Sequence, residues 1–312
     1  MKNLIKLLIP VLFSVSLLAC DSPEDKKGRF LLKGNEKLNQ NDAKAAIDFY
    51  TEALNIDDQY RDALFNRALV YQQLNQLDLA IRDLDAILTS NPTDSLAVFQ
   101  RGVCLLDNGE YYKALGDTKN LLKINPESWK GHFLQGLIYE KMKNLEEARS
   151  SFLAALQKSP NNVEILVNLA NMEYYLGNLE IASNLLDKAE KIDPSEANIL
   201  NLRSLLALET KEYKQALIDI EKAIVLRPNE AYYYNNRGLY KLLLGDLDAG
   251  LEDINYSIKQ YPKNLFAIRN KGIYYALKGQ KELALRYLNE VKEKDPNMML
   301  VDEYLKIALN ED

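Results

Sequence analysis

Seven prolines, Pro92, Pro126, Pro160, Pro194, Pro228, Pro262 and Pro296, follow one another at intervals of 34 residues. Proline lacks an amide proton and its ring clashes with the preceding turn, so each of the seven is a place where a helix stops. One period before Pro92 stands Asp58, which puts the first unit at Lys27 and gives eight units. Two further ladders run in phase. Ala46, Ala80, Ala114, Ala148, Ala182, Ala216, Gly250 and Ala284 hold the twentieth place of each unit; Gly34, Ala68, Gly102, Gly136, Ala170, Ser204, Gly238 and Gly272 hold the eighth. Three ladders in register are not compositional accident, and they outweigh the two domains that 312 residues suggest by length alone.

The fourth unit, WKGHFLQGLIYEKMKNLEEARSSFLAALQKSPNN, shows what the period encodes. Phe133, Leu134, Leu137, Ile138 and Met142 recur at helical spacing, and after Lys143-Asn144 a second helical run carries Ala148, Phe152, Leu153, Ala155 and Leu156. Small residues at the crossing let two antiparallel helices approach closely, as ridges packing into grooves require. Neither helix can bury its apolar face alone, so the units must stack.

A 34-residue period with small residues at the eighth and twentieth places and proline at the thirty-second resembles the tetratricopeptide repeat, over residues 27–298. Asp58 departs from the pattern, as do Ile87, Leu121 and Val291, which replace the small residue of the twenty-seventh place. The resemblance implies an all-α chain: a right-handed superhelical solenoid of antiparallel helix pairs, eight units in all. Residues 299–312 complete it as a cap, with Leu300, Val301, Tyr304, Leu305 and Ala308 on one helical face and Asp302, Glu303 and Lys306 on the other. Seventeen helices and no sheet are expected.

The N-terminus carries a different signal. Lys2 and Lys6 precede a run from Leu7 to Ala19 that is nearly free of polar side chains. It is too short for the roughly 20 residues that cross a bilayer as a helix. A basic start, a short apolar stretch and a small residue describe an export signal. Leu17-Leu18-Ala19-Cys20 resembles the lipobox of bacterial lipoproteins, with Leu18 where alanine or serine is more usual. The resemblance implies removal of residues 1–19 and lipid attachment at Cys20. A thioether-linked lipid also removes a thiol that an exported protein would expose to oxidation, and several acyl chains hold a protein where one does not. Residues 20–26 are then a tether, whose stretch from Asp21 to Lys26 reaches at most about 20 Å. The expected location is an exported chain anchored to a bacterial membrane, facing the periplasm or the cell surface. Loss of two lysines moves the formal charge from −6 to −8. The remaining basic residues are scattered, with no stripe, which argues against nucleic acid as a partner.

Little in the chain suggests a reaction. The one histidine, His132, sits where other units carry Phe30, Leu64, Val98, Leu166, Leu200, Tyr234 and Ile268, and reads as packing. With Cys20 lipidated, neither a Ser-His-Asp arrangement nor a zinc cluster can be assembled in the monomer. Cys104 shares the tenth place with Val70, Ile138, Met172 and Leu206 and reads as a buried, inert thiol. Carboxylates such as Asp83 and Asp85, two residues apart, do not face one another on a helix and read as solvated. No catalytic residue, cofactor or metal is expected, and no enzyme.

Binding remains. The resemblance implies a protein or peptide partner on the concave face, lined by the first helix of each unit. The family's carboxylate clamp for C-terminal peptides needs lysine, asparagine and arginine in consecutive units. Asn66, Asn168, Asn236 and Asn270 fill the middle slot, but no trio supplies the basic partners, so capture of chaperone tails is not expected. Phe65, Phe99 and Phe133 hold the fifth place of units two to four, with Leu69, Val103 and Leu137 four residues on. These six are the candidate groove, where an exposed apolar row would suit a partner helix or strand; the other reading is that the rings pack against neighbouring helices. In later units the fifth place becomes Val167, Asn201, Asn235 and Arg269. Two functions follow: a membrane-anchored interaction scaffold of the cell envelope, or a permanent structural or regulatory subunit of an envelope enzyme, secretion or assembly complex.

Overall fold

The computed structural model describes residues 22–310, and these form two compact units, one ending at Ile124 and one beginning at Asn125. Cys20 and the signal segment lie outside the described residues. Every regular element among the described residues is helical. The first unit holds α1 (Pro23–Asn39), α2 (Ala43–Leu54), α3 (Arg61–Gln73), α4 (Leu77–Ser90), α5 (Ser95–Asp107) and α6 (Tyr111–Ile124). The second holds α7 (Trp129–Lys141), α8 (Leu145–Lys158), α9 (Val163–Tyr175), α10 (Leu179–Ile192), α11 (Ala197–Glu209), α12 (Tyr213–Leu226), α13 (Ala231–Leu243), α14 (Leu247–Gln260), α15 (Leu265–Leu277), α16 (Lys281–Lys294) and α17 (Val301–Leu309). Each odd-numbered helix from α1 to α15 packs on the even-numbered helix that follows it.

Local chemistry repeats with the period. Two residues after six of the seven prolines, the side chain that opens the next pair caps a helix: Asp94 accepts from the Ala97 amide at 3.0 Å, Ser128 from Gly131 at 3.2 Å and Asn162 from Ile165 at 3.1 Å. These bonds satisfy donors that a helix start leaves unpaired. Between the two helices of a pair the chain makes a left-handed turn at Asn41, Asn75, Gly109, Lys143, Gly177, Lys211, Gly245 and Gly279. This is a fourth 34-residue ladder, at the fifteenth place, and the glycine and asparagine at six of its positions are the residues that adopt this conformation most cheaply.

The small residues do what the ladders require. A Cβ on Gly34 would stand 2.4 Å from the Tyr50 ring, and one on Gly136 would stand 2.5 Å from Phe152. The eighth place therefore lies against the twenty-fourth, and an aromatic ring there comes with glycine opposite. Where the twenty-fourth residue is Leu84 or Leu186, the eighth is Ala68 or Ala170, all fully buried. The alanines of the twentieth place are likewise without exposed surface.

A last helix, α17, follows the eighth pair, and Leu300 stands just outside it while still packing against the same core. It stands at the N-cap of α17 with φ 69°, a left-handed conformation uncommon for a bulky residue. That reversal lets α17 lie on both α15 and α16, burying Val301, Tyr304, Leu305 and Ala308. Among the described residues no helix is long and apolar enough to cross a membrane.

Candidate partner-binding face

Arginine at the seventh place and aspartate at the twenty-third, 16 residues apart, meet across a helix pair. Arg67 donates through Nε and Nη2 to the two oxygens of Asp83, at 2.7 and 2.8 Å. Arg101 does the same to Asp117, and Arg237 to Asp253. Asp83 is 2 % exposed, so its reading as a solvated carboxylate is corrected: the antiparallel register of α3 and α4 brings Arg67 over it. Asp85 is exposed as expected, and accepts from Arg101 at 2.7 Å. The recurring sixteen-residue Arg–Asp spacing was present in the sequence as a signal. These pairs fix α3, α5 and α13 to the helices that follow them.

In the first unit α3 and α5 present Phe65, Leu69, Phe99 and Val103, all half-buried, with both phenylalanines packed against the core. Phe65 lies under the Arg61 guanidinium at 4.6 Å, and Arg61 donates to the helix-capping Asp94 at 2.9 Å. In the second unit Leu137 is half-buried, but Phe133 is 6 % exposed, its ring 5.5 Å from Phe152 and 6.2 Å from Trp129. Phe133 is thus a core ring of the α7–α8 pair. Val167, Asn235 and Arg269, at the same place of later units, are buried too.

What replaces an apolar row in the second unit is a hydrogen-bonded one. Asn236 donates to Asn201 at 2.9 Å, Asn270 to Asn235 at 2.9 Å, and Arg269 to Asn270 at 2.9 Å and to the Met299 carbonyl at 3.2 Å. Two asparagines of the clamp slot, Asn236 and Asn270, are consumed inside this ladder. Arg269 has no carboxylate within ion-pair distance among the described residues, and burial pulls its guanidinium down to about 10, still protonated at neutral pH. The phenols of Tyr174, Tyr240 and Tyr175 act on it in the opposite sense.

Beside that row, α7, α9 and α11 carry a cluster of polar and aromatic side chains. Asn171 donates to Glu140 at 3.3 Å, Tyr174 donates to Glu209 at 2.8 Å, and the Tyr174 and Tyr175 rings meet edge to face at 5.3 Å. Tyr175 keeps 49 % of its surface, yet burial pushes its phenol up, and burial also raises the Glu140 carboxyl. An aromatic ring with a polar tip beside a half-desolvated carboxylate is the composition of a contact surface. Sequence reasoning passed over these residues, because the twelfth and thirteenth places vary from unit to unit.

Two models, each described as tetratricopeptide repeat, match residues 139–206 and residues 31–94, 65–118 and 105–163, together more than half the chain. The chain belongs to the tetratricopeptide-repeat family. Among curated relatives, a DnaJ homolog subfamily C member 7 homolog of Dictyostelium discoideum is 29 % identical over 148 residues, 46 % of this chain and 25 % of its own length. The DnaJ homolog subfamily C member 3 of Gallus gallus is 28 % identical over 57 % of this chain and 31 % of its own. The chain thus spans a minor part of either relative. Among solved structures, the APC/C hetero-tetramer Cut9–Hcn1 aligns with 93 % of this chain and 57 % of that one, at a TM-score of 0.67 and 17 % identity. Pseudomonas aeruginosa PilF aligns with 67 % of this chain and 96 % of its own, at 0.51 and 18 %. At such identities the structures establish the fold. Tetratricopeptide repeats mediate protein–protein interaction, and that coarse function carries over to this member.

Proposed function

We propose that the mature chain is a non-catalytic scaffold of a bacterial cell envelope, held to a membrane by lipid on Cys20, that receives a protein or peptide partner on the first helices of its repeats. The anchor reading rests on the LLAC sequence at the end of a short apolar run behind two lysines. The partner reading rests on one observation above others: Tyr175 keeps 49 % of its surface beside the Tyr174 ring, on a helix whose Asn171 and Tyr174 reach Glu140 and Glu209 on the neighbouring first helices. Phe65 and Phe99, half-buried on α3 and α5, are a separate apolar candidate within the first unit.

Co-purification from solubilised membranes tests both halves. Cys20→Ser is expected to leave an unprocessed or soluble form with unchanged helicity, and an unmodified cysteine in the intact mass of the membrane-derived protein would overturn the anchor. Tyr175→Ser with Glu140→Gln is expected to remove the partner while the melting temperature stays within a few degrees, since half-open side chains contribute little to folding. Undiminished capture of the partner by that variant would overturn the face. A partner recovered in fixed stoichiometry would make the chain a permanent subunit, one captured in variable amounts a client receptor.

A further inference from the structure

One repeat breaks the Arg–Asp rule although it has both residues. Arg203 and Asp219 stand at the seventh and twenty-third places, but Arg203 turns away and gives Nη2 to Asp187 and Glu190 on α10, both at 2.7 Å. Its Nε, which in Arg67, Arg101 and Arg237 donates to the aspartate, is buried here without a hydrogen-bond partner. Asp219, 7 % exposed, is left with the amide of Gln215 at 3.0 Å. The orphaned donor and the under-bonded acceptor are the two ends of one missing bond.

Glu190 departs from the pattern of its place. The same place holds Leu54, Leu88, Leu122 and Leu156 in the four preceding units and Ile224 and Ile258 in the two that follow. Leu54, Leu88, Leu156, Ile224 and Ile258 pack into hydrophobic clusters that run from one pair to the next within their unit. With a carboxylate there, α10 and α11 pack more sparsely than the other successive pairs within either unit, and a cavity of about 650 Å³ opens between α10, α11 and α12. Its lining sets four carboxylates, Glu180, Glu190, Glu212 and Asp219, against two cations, Arg203 and Lys222. Asp187 and Glu190 keep 50 % and 44 % of their side chains open to solvent, so a group from outside can reach them.

We propose that this cavity is a receptor for the guanidinium or ammonium group of a basic side chain on a partner protein, which takes over Asp187 and Glu190 and lets Arg203 close onto Asp219. The exchange adds positive charge to a lining with an acidic excess, and it restores the bond that three other repeats make. The site involves the second helices α10 and α12, and it stands independently of the first-helix face proposed above.

The test uses the purified full chain and a soluble peptide with a single arginine among glycine and serine, measured by calorimetry at low and moderate salt. Saturable binding is expected, weakening as salt rises. The same peptide with citrulline in place of arginine is expected to bind at least about tenfold more weakly, which assigns the affinity to the charge. Acetyl-arginine amide separates a side-chain pocket from one that reads peptide backbone: binding by the amide is expected. Glu190→Leu restores the apolar residue of the neighbouring units and is expected to abolish binding with undiminished thermal stability. Asp219→Asn leaves the mouth intact and is expected to weaken binding, because Arg203 loses its receiving carboxylate. In the wild type the ¹⁵Nε resonance of Arg203 is expected to shift on binding as the nitrogen gains an acceptor. No saturable binding, equal binding of arginine and citrulline peptides, or full affinity in Glu190→Leu would overturn the receptor. Unchanged affinity in Asp219→Asn with a stationary Arg203 resonance would overturn the exchange.

Discussion

Cys104 is wholly buried and free, and burial pushes its thiol up to about 11, with Asp107 adding to the shift. It is therefore expected to resist alkylation at pH 8 in the native chain and to react only on unfolding, which mass spectrometry after a timed iodoacetamide pulse would show. Asp83 behaves in the opposite way to an exposed carboxylate. Replacing it by alanine strands the mostly buried Arg67 guanidinium, and the expected loss is about 3 kcal/mol, read from the urea midpoint. Asp94 supplies a pH dependence: its hydrogen bond from Arg61 holds its folded-state pKa below the usual carboxylate value. The stabilisation it gives is complete above the unfolded value of about 3.9 and is lost as pH falls through the lower, folded one. In Arg61→Gln the acid branch of the stability curve should be shallower there.

Within one helix pair, the decisive contacts are between the eighth and twenty-fourth places. Gly136→Ala places a methyl group 2.5 Å from the Phe152 ring, inside a fully buried site, and should cost about 1–3 kcal/mol. Phe152→Leu creates a smaller side chain at the cost of a cavity. Together they recreate the alanine–leucine combination of Ala170 and Leu186, so the double variant should be more stable than the sum of its parts requires. Additive losses in a double-mutant cycle would contradict this packing. The turn inside the pair offers a gain instead. Lys211 sits at φ 61° where six other repeats use glycine or asparagine, and Lys211→Gly should stabilise by up to about 1 kcal/mol, checked by thermal melting.

At the scale of the whole chain, each pair is sealed mainly by its neighbours, so damage should stay local. Ala148→Leu overpacks the α7–α8 crossing; hydrogen exchange should rise in α7 to α9 while α1 to α4 keep their protection. An even rise from end to end would contradict nearest-neighbour coupling.

The succession of helix pairs was legible because each is written locally. A proline that stops a helix, a small residue that permits a crossing and an apolar stripe at helical spacing act over a few residues, and repetition multiplies the signal. The buried Cys104 followed from its place among Val70, Ile138 and Met172 for the same reason. Three things were decided only by tertiary structure. Asp83 is buried because the register of two antiparallel helices sets the seventh place over the twenty-third. Phe133, Asn235 and Arg269 are buried although Phe65 and Phe99 are half-open at the same place. Arg203 gives its Nη2 to Asp187 and Glu190 on the preceding helix and makes no bond to Asp219. A periodic pattern reports which side of a helix is apolar. It holds no record of how closely the next pair approaches, and that distance decides which polar groups lose their water and which partner replaces it.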